Sequence, residues 1–199
     1  MPPNNHNEVK LMKRKLFFIA VIVICLSLTA FGTLAYFTAE DTAHNVITTG
    51  DVDIELKEWA DEAKTKPFPK EGVSGVMPNT SVTKIVEVTN TGSGSAWVRV
   101  SVDKAILLAQ GVQAQVDLDK LVIEFDTKNW TKSGEYYYYN KALKPNETTE
   151  PLFAAVTFDA TMGNEYQNAT ATVEVSAQAV QSANNGDSPL KATGWPKTT

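Results

Sequence analysis

Cysteine and histidine are nearly missing from this chain. One cysteine, Cys25, and two histidines, His6 and His44, stand among 199 residues. A single thiol excludes an internal disulfide framework. Cys25 lies inside the apolar leader described below, and Ile24 before it is too large for lipoprotein processing. Removal of the leader would leave no cysteine, which excludes thiol catalysis as well. Zinc hydrolases commonly place two histidines around a glutamate on one helix face. No His-Glu-x-x-His is present, and three ligands for a catalytic zinc are hard to assemble around His44 alone. A Ser-His-Asp triad would also have to use His44, which sits in a polar stretch unsuited to a buried, oriented base. No glycine-rich loop opens a helix to cradle a phosphate, and no cofactor motif is found. Basic charge is in short supply too: 18 Lys+Arg against 23 Asp+Glu give a net charge of −5. Nucleic-acid binding needs a basic surface to meet phosphates, so that class is excluded. No repeat of about 20 to 50 residues is visible.

What is present begins with a leader. Lys13-Arg14-Lys15 precede an uncharged stretch from Leu16 to Phe37. A positive segment followed by an apolar one is the order of a secretory signal. Thr33-Leu34-Ala35 places small residues at −3 and −1, so the expected cut follows Ala35; a cut after Tyr36 puts a bulky side chain at −1. The run is also long enough to span a bilayer, so an uncleaved anchor is the alternative. Met12, at the basic cluster, is an alternative start. The charge is unevenly divided: residues 1–35 hold four basic groups and one acidic group, so the rest of the chain is more acidic than the whole.

The body reads as strands. Val52 to Leu56 alternates apolar and polar residues. So do Val98, Val100 and Val102 against Trp97, Arg99 and Ser101. The pattern recurs at Leu121, Ile123 and Phe125, from Leu152 to Phe158, and from Ala171 to Ala179. Period-two alternation marks strands with one face buried. Val82–Asn90 and Tyr136–Tyr139 are strand-prone by composition. Turn signals separate the runs: Met77-Pro78-Asn79-Thr80, the loop Asn90 to Ser95 read as hairpin-like, Lys144-Pro145-Asn146-Glu147, and Met162-Gly163-Asn164. The expected fold is all-β, an antiparallel jelly-roll-like or Ig-like sandwich. Leu107 to Val116 is read as a short helix or a long loop. The expected division is a signal peptide at 1–35, a sandwich domain at 36–183 and a flexible tail at 184–199, the last because it is polar and aperiodic.

Several residue groups invite a functional reading that a structural one matches. Asp51 with Asp53, or Asp117 with Asp119, would suit calcium by charge, but neither has the spacing of a calcium loop. Four tyrosines at 136–139 suggest a carbohydrate platform, yet alternate strand residues face opposite ways, so two are expected inside and two outside. Four Asn-x-Ser/Thr triplets, starting at Asn79, Asn129, Asn146 and Asn168, are what a Thr- and Asn-rich chain produces by chance. Pro-Asn occurs twice just before an expected strand, as the end of a loop rather than a duplicated site.

The order of these residues resembles the TasA/camelysin family of secreted Gram-positive proteins. The resemblance is carried by Gly32-Thr33-Leu34-Ala35-Tyr36-Phe37-Thr38, Asn45-Val46-Ile47-Thr48-Thr49-Gly50, Val52 to Leu56, Met77-Pro78-Asn79-Thr80, Val86 to Gly92 and Ala96 to Val100. It implies a leader cut by a dedicated SipW-type signal peptidase, export, and assembly into biofilm matrix fibres, with other matrix proteins as further partners. It implies donor-strand pairing, in which the segment behind the cut joins the sheet of the next subunit. Tyr36, Phe37, Val46 and Ile47 are the residues expected to fill a groove there. Addition of an extended segment to an open edge gains main-chain hydrogen bonds, and a head-to-tail contact need not close. The metallopeptidase activity attributed to camelysin is not carried over, since no metal motif supports it. The chain is also shorter than TasA. A camelysin-like peptidase and a membrane-tethered adhesion module are the competing expectations.

Overall fold

A computed structural model describes residues 45–48, 52–70 and 77–196. The leader at 1–35, and the expected pairing residues Tyr36 and Phe37, lie outside the described residues, as do His44 and Asp51. The strands are β1 (Asn45–Thr48), β2 (Ile54–Trp59), β3 (Thr80–Asn90), β4 (Ala96–Leu107), β5 (Leu121–Ile123), β6 (Trp130–Ser133), β7 (Tyr136–Tyr139), β8 (Phe153–Phe158) and β9 (Thr170–Gln181). They form two sheets. One has the order β1-β9-β4-β7-β6, the other β2-β3-β8-β5. Every neighbouring pair is antiparallel except β1 with β9, which is parallel. The fold is an all-β sandwich, as the alternation predicts.

The inward residues are those of the period-two pattern. Ile54 and Leu56 of β2, Val86 and Val88 of β3, Val98 and Val100 of β4, and Ala177 and Ala179 of β9 share one buried cluster with Trp130, Leu121, Leu152 and Phe153. Each fully buried Val or Leu contributes about 1.5–3 kcal/mol relative to exposure. Tyr137 and Tyr139 are buried while Tyr136 and Tyr138 are half-buried on the other face, the expected two-and-two division.

Asn90 to Ser95 is not a hairpin. β3 belongs to the four-stranded sheet and β4 to the five-stranded one, so this loop arches between layers. The completely buried Asn90 side chain fixes the arch. Its Nδ2 donates to the carbonyls of Gly94 and Leu143, both at 2.8 Å, and its Oδ1 accepts from Gly92 N at 2.9 Å. These bonds satisfy a turning backbone that no ladder serves. The two Pro-Asn pairs share a conformation: Asn79 has φ 59° and Asn146 φ 63°. A turn with Pro followed by a left-handed residue is best served by Gly or Asn at the second position. The echo in sequence is therefore a repeated turn. Leu107 to Val116 resolves as the end of β4 and a loop, followed by one 3-10 turn at Leu118–Lys120.

Candidate functional site

Pairing along β9 is uneven. On one side all twelve of its residues pair with β4. On the other side β1 covers only Ser176 to Ala179, with Asn45 opposite Ser176 and Thr48 opposite Ala179. Among the described residues, Thr170 to Val175 has no partner there. β2 pairs with β3 from Asn90 back to Ile85 and no further, so Thr80 to Lys84 is also unpaired on that side among the described residues. Unpaired strand edges are templates for another strand. The inward residues of this region, Val102, Ile106, Ala171, Val173 and Phe158, pack against the core while remaining partly uncovered.

Of the expected pairing residues, Val46 and Ile47 fall on β1, opposite Ala177 and Gln178. The expected cut at Ala35 or Tyr36 lies outside the described residues. Asp117 acts as a cap: its side chain accepts from Asp119 N at 2.9 Å at the start of the 3-10 turn. Asp53 is exposed, and its backbone oxygen accepts from Thr91 N and Gly92 N. Among the described residues no group of three His, Cys, Asp or Glu is placed to hold a metal ion. Among them, too, no helix is long and apolar enough to cross a membrane.

Two charged assemblies escaped the sequence reading. Where β2 ends beside β3, Lys84 is paired with Glu58 at 2.7 Å and lies over the Phe68 ring at 4.1 Å. Buried Glu87 accepts from the Trp59 indole at 3.0 Å and pairs with Lys64. The stretch after β2 folds back to cover them: Phe68 N donates to Glu58 O, and Ala60 N to Lys66 O. Their burial under a loop from a different part of the chain is not visible in a strand read by composition alone.

The second assembly involves the segment read as a flexible tail. Residues 184–196 carry specific contacts back to the five-stranded sheet. The Trp97 indole donates to Asn185 O at 3.0 Å, and the Asn185 side chain holds Thr193 from both its oxygen and its nitrogen. Ala192 is buried against Trp97 and Val180. Trp195 meets Tyr138 edge-on, with ring centres 5.7 Å apart. Beneath it lies Arg99, sandwiched between the rings of Tyr136 and Trp195. The lone tryptophan in a polar tail was the available signal.

At the far edge, Tyr139 donates to the Glu150 carboxylate, which also accepts from Lys141 at 3.0 Å. The Tyr139 and Lys141 hydrogen bonds hold Glu150 below the usual carboxylate range. Burial, then the same carboxylate, pushes the Tyr139 phenol up. Both shifts accord with a phenol that donates to an ionised carboxylate.

Comparison with family models, curated proteins and solved structures finds no match to this chain.

Proposed function

We propose that the chain is a secreted structural subunit of an extracellular biofilm matrix, trimmed at Ala35 or Tyr36 by a SipW-type signal peptidase and assembled by strand pairing. It is not read as an enzyme. The reading draws on the resemblance of the leader junction to TasA/camelysin proteins and on one observation: among the described residues, β1 occupies four of the twelve positions along its side of β9. Continued in the same register, positions 39–44 of a donor strand would fall opposite Thr170 to Val175. A donor from another copy would gain the main-chain hydrogen bonds of that edge and cover Ala171 and Val173. The contact joins the front of one copy to the edge of the next, so it propagates.

The test pairs N-terminal sequencing of secreted protein with electron microscopy of the same sample. Fibres from a chain beginning near Tyr36, lost on deletion of residues 36–49, are the expected result. Secreted protein that keeps its leader, or stays strictly monomeric in dilute buffer, in acid and under crowding, refutes the reading. Asn45→Cys with Ser176→Cys adds a direct readout, because the two positions are opposite each other. Oxidised monomer should close the bond within one chain, and oxidised fibres should give a ladder of linked chains.

A further inference from the structure

The outer face of β4 and β9 carries a buried cation without an acidic partner among the described residues. Arg99 is 9% exposed. Its Nε donates to Gln178 Oε1 at 2.8 Å, its Nη1 to the Tyr138 hydroxyl at 3.3 Å and its Nη2 to the Pro196 carbonyl at 3.0 Å. All three acceptors are neutral. The ring centre of Tyr136 lies 3.8 Å from the guanidinium carbon, and that of Trp195 4.6 Å. Among the described residues no carboxylate reaches ion-pair distance of Arg99. Aromatic faces attract a guanidinium, but they return only part of what it loses on leaving water.

We propose that this face binds a carboxylate-bearing sugar, a hexuronate unit of an acidic polysaccharide, and that Trp195 and Pro196 occupy the site as an internal stand-in. The cation calls for an anion. Tyr136 and Tyr138 are half-buried, so the sheet's own rings beside the cation are partly open to solvent. A hexuronate brings both a carboxylate and a flat C–H face. A simple anion would use only the arginine, a neutral sugar only the rings, and an acidic peptide would leave the rings bare. The strap supplies weaker versions of both contacts. Pro196 offers a carbonyl dipole where a carboxylate would bring full charge and a charge-assisted bond. Trp195 offers the apolar plate. Gly194, at φ 77°, adjoins this pair and gives the strap a place to turn aside. This site does not depend on whether the chain polymerises.

The experiment titrates the secreted chain by calorimetry with oligogalacturonate, a neutral cello-oligosaccharide of equal length, polyglutamate and inorganic phosphate. Saturable binding of oligogalacturonate alone, weakened by added salt, is expected. Arg99→Gln should weaken it at least tenfold. Trp195→Ala should tighten it several-fold, because the internal competitor is gone; loss of folding cannot produce that direction. If Arg99→Gln does not fold, judged by its melting curve, the Trp195→Ala result decides. Unchanged affinity in a folded Arg99→Gln, weaker binding in Trp195→Ala, or equal binding of any of the other three probes overturns the proposal.

Discussion

The Trp59 indole and the Glu87 carboxylate meet at 3.0 Å on the outer face of the four-stranded sheet, 28 residues apart in the chain. Lys64 closes the other side of the same carboxylate. Glu87→Ala strands a half-buried indole N–H and removes the partner of Lys64. Lys64 is exposed and returns to water, so the cost is that of the stranded indole N–H, about 1–3 kcal/mol. Glu87→Gln keeps an acceptor for Trp59 and should cost clearly less. Urea unfolding of the two variants checks the order; equal costs would mean the hydrogen bond contributes nothing.

Asn90 holds the arch between the layers with three hydrogen bonds inside the protein. Asn90→Ala leaves the Gly94 carbonyl without this partner, while Gly92 N keeps Asp53 O and Leu143 O keeps Ala96 N. At about 1–3 kcal/mol for a stranded group, a loss of that size is expected in denaturant unfolding. Asn90→Asp keeps the acceptor for Gly92 but turns a carboxylate toward the carbonyls of Gly94 and Leu143, so it should not rescue stability.

The left-handed turn residues Asn79 and Asn146 give a matched pair of tests. Replacement by Gly should be nearly neutral at either site. Replacement by Ala should cost about 1 kcal/mol, because a Cβ crowds the following carbonyl in this conformation. Thermal melts that rank Ala above Gly at either position would contradict the turn described.

Acid should weaken the fold through a defined group of carboxylates. Hydrogen bonds from the Asn129 side chain and backbone hold Asp126 below its ordinary 3.8. Glu150 is held below 4.5 by Tyr139 and Lys141. Asp61 and Asp159 are lowered by their bonds to Thr65 and Thr161. A depressed folded-state pKa adds stability that is complete above the unfolded value and disappears as pH falls through the folded one. Unfolding midpoints should therefore drop below about pH 4, and Glu150→Gln should flatten part of that slope. A slope unchanged by this substitution would remove Glu150 from the acid response.

The sequence by itself determined the strands and their inward faces. Alternation at Val98, Val100, Ala177 and Ala179 reports which side avoids water, and Pro-Asn pairs report where a loop ends and a strand begins. These are local properties, set by side-chain chemistry within a few residues. Only the tertiary structure decided which sheet each strand joins, and hence that Asn90 to Ser95 arches between layers. It alone decided that Lys84, Glu87 and Arg99, polar by pattern, are buried, because segments distant in sequence fold over them. It also left half of one side of β9 without a partner among the described residues. Pairing partners and coverage depend on contacts between remote parts of the chain, and no local pattern encodes them.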